Sequence, residues 1–382
     1  MAEKTLGIAM NGVTGRMGRN QHLERSIIAI RDQGGVELPN GDRLVPRPVL
    51  VGRSRDKLEA LATEYGVQDW TTDVAGVLAD PDIAIYFDAQ LTSLRAASVA
   101  EAIEAGKHIY CEKPLAEDAA TARDLLQRAE TAGVRHGIVQ DKLFLPGLVA
   151  LRRLIDSGFF GRIVSVRGDF GYWVFEGDLE PSQRPSWNYK TDEGGSIILD
   201  MYPHWQYVVE DLFGEIASVS VLGATHIPDR FEDGRRYDAT ADDAAYGTLQ
   251  LVDGTIVQIN SSWVTRVYRD ELVVFQVDGV QGSAVAGLQQ CRQQHRSATP
   301  RPIWNPDVPN PIDFRAGWLE VPSVSDPQNG FKLQWEAFLR HVAADEPFPW
   351  TLAAGVRGLE LVDAAMLSWR DRRWVDLAEV RA

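Results

Sequence analysis

A glycine-spaced turn directly behind the first apolar run limits this chain more than any other stretch. Leu6 to Met10 reads as a buried strand, and Gly12-Val13-Thr14-Gly15-Arg16-Met17-Gly18 follows as its turn into a helix. Glycines let a backbone turn tightly and approach a pyrophosphate, whose charge then lies on the helix N-terminus. The spacing is GxxGxxG rather than the commoner GxGxxG, and its place straight after an N-terminal strand is what points to a dinucleotide. Gly12, Thr14, Gly15, Arg16 and Met17 are therefore expected at the cofactor.

The segments that follow extend this pattern. Gln33 to Pro48 reads as an inserted loop with a tight hairpin at Asn40-Gly41, and Pro48 to Gly52 as the second strand. Asp56 to Tyr65 is helical in pattern, Asp69 to Asp73 and Ile83 to Phe87 are strands, and Ala96 to Gly106 is a helix. Such alternation predicts a doubly wound parallel sheet. The second strand runs into Arg53-Ser54-Arg55 with no acid to hold a ribose 2′-hydroxyl, whereas arginine accommodates a 2′-phosphate. Arg53 and Ser54 thus predict NADP, with NAD also accepted. Asp88 and Gln90 leave the fourth strand at the carboxyl edge, where they either face the nicotinamide half of the cofactor or cap the next helix.

After a strand from Lys107 to Tyr110 comes Cys111-Glu112-Lys113-Pro114-Leu115. Pro114 pushes Lys113 into an extended conformation, and X-Pro bonds are where cis peptides occur. An amine close to a positively charged nicotinamide and partly desolvated would titrate nearer working pH, which suits a proton carrier. Taken alone, the same lysine reads equally as a loop residue beside a proline turn.

Composition bounds the partners. A length of 382 residues fits two domains, drawn here at 1–141 and 142–382. The formal net charge of −15 argues against nucleic acid or an anionic membrane surface, which call for a basic face. Two cysteines, Cys111 and Cys291, argue for a reducing compartment, so the expected location is cytoplasmic. The seven histidines show no metal-ligand spacing, and no metal is expected. No run is long enough to span a bilayer, and the N-terminus lacks a signal-peptide pattern.

Val134 to Gln140 should close the nucleotide domain, with Asp141-Lys142 as the crossing and Leu148 to Ser157 as a helix stopped by Gly158. Ile163 to Trp173 alternates as a strand. Tyr172, Trp173, Phe175, Trp187 and Tyr189 then crowd a loop, either as core packing or as flat apolar surface for sugar C–H groups. Pro203 is tolerated in the first turn of a helix, which puts Asp200 just before that helix and His204 at its positive end. On their own, Asp200 reads as a cap and His204 as a packing residue. Ser218 to Leu222, Ala244 to Leu251, Thr255 to Ser262 and Glu271 to Val277 are strand-like, with a turn at Asp253-Gly254. The proline-rich stretch between Cys291 and Asn329 reads as an interaction arm or an edge of the active site. Leu333 to Val342 and Gly355 to Trp369 are helical in pattern.

The N-terminal glycine turn, Glu112-Lys113-Pro114, the run from Gly158 to Val164, the segment Gly194 to Asp200 followed by His204, and the closing Gly355 to Leu377 resemble the Gfo/Idh/MocA oxidoreductases in order and content. The resemblance spans nearly the whole chain. It implies a Rossmann domain followed by an α/β domain with a large, mostly antiparallel open sheet that serves homodimers or homotetramers. It also implies hydride transfer between NAD(P) and a hydroxyl carbon of a sugar, glycoside, cyclitol or related polyol. On this resemblance Lys113, His204 and Asp200 are the catalytic candidates, Glu112 and Lys113 also lie at the cofactor, and Lys142, Trp173, Trp187, Tyr189, Asp200 and His204 face the substrate. C-terminal helices would brace the domain junction. Arg95 departs from a histidine common after the fourth strand, and Tyr202 and Pro203 depart from smaller residues. Two other functions fit such a fold: a non-catalytic nucleotide-binding sensor, and a reductase of a C=N or C=C bond.

Overall fold

In a computed structural model, residues 2–323 and 328–381 are described. The chain divides into two compact units, one of residues 1–144, 202–207 and 328–363, the other of 145–201, 208–327 and 364–382. Neither unit is continuous, which differs from a simple division after residue 141.

The first unit is built on seven strands: β1 (Glu3–Asn11), β2 (Val36–Glu37), β3 (Arg43–Val51), β4 (Asp69–Thr71), β5 (Ile83–Asp88), β6 (His108–Cys111) and β7 (His136–Ile138). They lie in the order β2-β3-β1-β5-β6-β7, with β4 also paired to β3. Only β2 runs antiparallel to its neighbour. The winding reverses between β1 and β5, and crevices for ligands open at the carboxyl ends of strands at such a switch. Ile8, Ala9 and Met10 are buried without alternation, as in a parallel sheet covered on both faces.

β3 is longer than the sequence predicts and passes through Pro46 and Pro48. Residues two apart direct their N–H positions to the same edge, so the missing donors weaken the ladder on one side only. The Asn40-Gly41 turn forms as expected, with Gly41 at φ +82° joining β2 to β3.

The C-terminal helix Gly330–Ala344 belongs to this unit and buries Trp335, Phe338 and Leu339 in its core. Tyr110 stacks on Phe338 at 4.8 Å and meets Trp335 edge-on at 4.4 Å. Asn329 caps the helix by accepting from the N–H groups of Phe331 and Lys332.

Among the described residues, the second unit holds a nine-stranded sheet and a separate β10–β11 hairpin (Asp229–Glu232, Arg235–Asp238); the sheet strands are β8 (Ile163–Gly171), β9 (Ile216–Ala224), β12 (Ala244–Leu251), β13 (Ile256–Ser262), β14 (Val273–Gly279), β15 (Gly282–Ala286), β16 (Cys291–His295), β17 (Leu319–Glu320) and β18 (Val375–Asp376). The sheet order is β17-β16-β15-β14-β8-β13-β12-β9-β18. Only the β8–β13 pair is parallel. The helix Pro146–Asp156 packs on β15 and β16. The proline-rich stretch has little regular structure and carries Trp304 at 99% exposure; its residues 324–327 lie outside the described residues.

The helix expected to begin at Pro203 begins earlier, spanning Ile197–Leu212. Ser196, not Asp200, caps it, accepting from Leu199 N–H at 3.1 Å. Asp200 therefore sits within the first turns and Pro203 inside the helix, at the loss of one backbone bond.

Candidate active site

The carboxyl ends of β1, β5, β6 and β7 carry the candidate residues of the first unit. Behind β1, Gly12 adopts φ +88°, and a Cβ there would lie 2.5 Å from the Ala89 carbonyl carbon. A Cβ on Gly18 would lie 2.4 Å from the Gly12 carbonyl oxygen. Thr14, Gly15 and Arg16 are exposed on this turn. The segment that follows, Gly18–Ile28, is a π-helix, a rare geometry that is frequent at functional sites. A glycine cradle that excludes Cβ atoms and ends on a helix N-terminus fits the pyrophosphate of a nicotinamide dinucleotide. At the end of β3, Arg53 is exposed, while the Arg55 guanidinium lies over the Trp70 ring at 5.2 Å.

Asp88 ends β5 and is fully buried. Its carboxylate accepts from the Gln90 N–H at 3.0 Å, the Gln90 side chain at 2.8 Å and Arg95 Nε at 3.2 Å. The expectation of Asp88 facing the nicotinamide is corrected here: its charge is turned inward, to Arg95. Arg95 in turn donates to the carbonyls of Gln90 and Pro114. This residue, flagged in the sequence only as a departure, ties the end of β5 to the Glu-Lys-Pro segment.

Glu112 is also turned inward. The residue is 6% exposed, and its carboxylate bonds His22 Nε2 at 2.8 Å and accepts from the Lys113 N–H at 3.1 Å. Burial pushes the carboxyl up, but the His22 bond and the charges of Lys113 and Arg95 bring it below the ordinary range, so it stays ionised. The Glu112 side chain thus holds the protein rather than the cofactor, another correction. Lys113 is half-buried and joined to Pro114 by a cis peptide.

Cys111 pairs with Ile138 across β6 and β7, so Lys113 and the Gln140-Asp141-Lys142 segment leave neighbouring strands at the same edge. Gln334 closes the backbone there, donating to the Ile138 carbonyl at 2.9 Å and accepting from the Gln140 N–H at 2.7 Å. Lys142 Nζ lies 3.4 Å from His204 Nε2 and 3.7 Å from Asp141 Oδ1. On the other side of the ring, His204 Nδ1 is 2.7 Å from the Tyr207 hydroxyl, which donates to Asp141 Oδ1 at 3.3 Å. A carboxylate only accepts, so the hydroxyl proton goes to Asp141 and His204 Nδ1–H donates to Tyr207. Nε2 is then the basic nitrogen, and it faces Lys142. Burial, then the Asp141 charge, pushes the Tyr207 hydroxyl far above its ordinary range, so it remains a neutral link. Tyr207 and Asp141 were not singled out as catalytic in the sequence; Tyr207 lies three residues after His204, within reach on the same helix face.

In the second unit, Asp200 Oδ2 accepts from Arg184 at 3.2 Å. Arg184 also bonds the Tyr172 hydroxyl at 3.0 Å and Asn188 Oδ1 at 3.0 Å, and stacks over Trp263 at 4.2 Å. Arg184 carried no signal in the sequence beyond its place among the aromatics. Trp187 is exposed, and Trp173 carries the Arg266 guanidinium 3.9 Å from its ring centre. Tyr189 is corrected: it is fully buried, with the Arg230 guanidinium over its face at 3.8 Å and Trp263 at its edge, and packs the core instead of offering a face to substrate. Among the described residues, no group of three or more His, Cys, Asp or Glu side chains could hold a metal ion, and no helix is long and apolar enough to cross a membrane.

A Rossmann unit with a glycine cradle, joined to a mostly antiparallel α/β unit, is the architecture of a dinucleotide-binding protein. Residues 7–139 match the model for the oxidoreductase family with NAD-binding Rossmann fold, and residues 148–285 match the GFO/IDH/MocA C-terminal domain; the chain belongs to the Gfo/Idh/MocA family. It is 53% identical over 378 residues to the D-xylose dehydrogenase of Paenarthrobacter nicotinovorans, covering 98% of this chain and 97% of that one. A levoglucosan dehydrogenase of Pseudarthrobacter phenanthrenivorans is 24% identical over 64% of this chain and 65% of its own. The solved complex of levoglucosan dehydrogenase with NADH and levoglucosan superposes with a TM-score of 0.80 at 22% identity, over 98% of this chain and all of that one, and shows the shared fold. The chain is an NAD(P)-dependent oxidoreductase of that family, and the relatives named above are dehydrogenases of sugars. These relatives do not favour a sensor or a reductase of C=N or C=C bonds.

Proposed function

We propose that the enzyme oxidises an aldopentose of the D-xylose type, with His204 Nε2 accepting the hydroxyl proton and Lys113 holding the reacting oxygen. The observation that carries this is the Asp141–Tyr207–His204 chain, which leaves Nε2 as the basic nitrogen. The identity to a D-xylose dehydrogenase supports the sugar. Bound NAD(P)⁺ supplies the hydride acceptor. As the substrate C–H bond breaks, the electron pair leaves with the hydride, the O–H proton passes to His204, and a C=O bond forms. General-base catalysis of this kind contributes about 10²–10⁴-fold. Asp200, fixed by Arg184, binds a neighbouring hydroxyl, with Trp173 and Trp187 against sugar C–H groups. Exposed Arg53, with Ser54, supports NADP over NAD. The cytoplasm is the proposed location, supported by two free, buried cysteines. A homo-oligomer through the open sheet is the proposed assembly.

The test is reduction of NADP⁺ and of NAD⁺ by D-xylose, other aldoses and inositols, with Lys113→Ala and His204→Ala beside the wild type. D-xylose should be the best substrate, NADP⁺ the better acceptor, and both variants should lose turnover while still binding cofactor. Full turnover in either variant removes that residue from the mechanism; preference for an inositol removes the pentose.

A further inference from the structure

We propose that His22 is a positioning residue for Lys113, acting through the Glu112 carboxylate. This rests on the reading that Lys113 works at the reacting oxygen. His22 lies in the π-helix, fully buried, and no part of the reaction uses it directly. Its Nδ1 receives the indole N–H of Trp335, 313 residues away, at 3.0 Å. Indole nitrogen only donates, so the ring proton sits on Nε2 and goes to Glu112 Oε1 at 2.8 Å. The other carboxylate oxygen accepts the Lys113 N–H at 3.1 Å. Beyond Lys113, the Pro114 carbonyl is held by Arg95, which pairs with Asp88 at 3.2 Å. Lys113 is therefore fixed by its backbone on both sides, and each clamp ends on a buried ion or ring.

A buried carboxylate is expensive to keep where an apolar side chain would pack, and fully bonded networks of this sort fix one geometry. The aromatic surroundings alone would accept a phenyl ring: Phe87 lies 4.4 Å and Phe331 5.1 Å from the His22 ring. His22→Phe keeps that packing and removes both bonds. His22→Gln can still accept from Trp335 and donate to Glu112.

The test measures kcat per folded active site for His22→Phe, His22→Gln and Trp335→Phe, alone and in the Lys113→Ala background. His22→Phe should lower kcat by up to about 100-fold, the effect of a small misplacement of a reacting group. Its KM for cofactor should stay within a factor of about three. His22→Gln should restore most of the loss, and Trp335→Phe should fall between. In the Lys113→Ala background, His22→Phe should cause no further loss. An unchanged kcat in His22→Phe overturns the proposal. So does an equal loss with and without Lys113, which leaves the role of Lys113 standing but puts His22 elsewhere. If Lys113→Ala itself keeps full turnover, it is the reading of Lys113 that fails. Should His22→Phe not fold, Trp335→Phe decides: normal kcat there overturns the proposal, and a kcat loss that Lys113→Ala absorbs upholds it.

Discussion

Tyr207 decides which nitrogen of His204 is basic. Its hydroxyl has one proton, Asp141 can only accept it, and the ring must then donate from Nδ1. Tyr207→Phe keeps the ring in place but leaves Nδ1 without its acceptor, so the tautomer is no longer set. Turnover should fall about 10–100-fold with little change in sugar KM, measured by steady-state kinetics. Unchanged turnover would mean that the tautomer is set by something other than this hydroxyl. The sequence showed His204 and Lys142 but not this partnership: Tyr207 reads as one more apolar position on a buried helix. Glu112 and Asp88 illustrate the converse. Their places at strand ends were legible, but which way a carboxylate points depends on partners such as His22 and Arg95, which local sequence does not reveal.

At the scale of elements, β6 and β7 are joined to their surroundings by histidine acceptors. His108 Nδ1 accepts from the Arg135 N–H at 3.0 Å, and His136 Nδ1 from the Leu352 N–H at 3.2 Å. Burial, then the charges of Arg135 and His341, lowers His108 below its ordinary 6.5. Burial, then His341, lowers His136, with Glu130 pulling the other way. Between the folded values and 6.5, the unfolded chain binds more protons than the native one, so stability rises with pH through that window. Their contribution is complete above 6.5 and is lost as the pH falls. The melting temperature should therefore drop on acidification from about pH 7 to about pH 5, and His108→Asn should flatten the drop. A wild-type profile flat over that range would count against native acceptor roles for both rings. Element boundaries followed the sequence wherever one signal dominated, as at Gly158 and Asn40-Gly41. They moved where two signals competed: Ser196 began a helix that Pro203 had suggested should start later, because packing of the Ile197–Leu212 segment outweighs one missing backbone bond.

At the scale of the molecule, the nucleotide-binding unit is not complete at residue 144. Trp335, Phe338 and Leu339 return from the far end of the chain to cover Tyr110 and Phe87. Each such side chain contributes about 1.5–3 kcal/mol on burial, a large share of the margin of a typical domain. A fragment ending at residue 144 should bind a hydrophobic dye such as ANS and melt without cooperativity, whereas the full chain should not bind the dye. A sharp, dye-free transition in the fragment would show that the first sheet carries its own core.

By itself, the sequence determined the class of sheet and the glycine turn behind its first strand, because those rest on local spacing: glycines after an apolar run, and apolar runs of fixed length alternating with helical patterns. Tertiary structure alone decided the rest. It sent Tyr189 into the core, turned Glu112 and Asp88 inward, brought Tyr207 and Asp141 behind His204, and laid a C-terminal helix over the first sheet. Each of these depends on a partner tens to hundreds of residues away, and burial makes such polar partners obligatory without marking them in the neighbouring sequence.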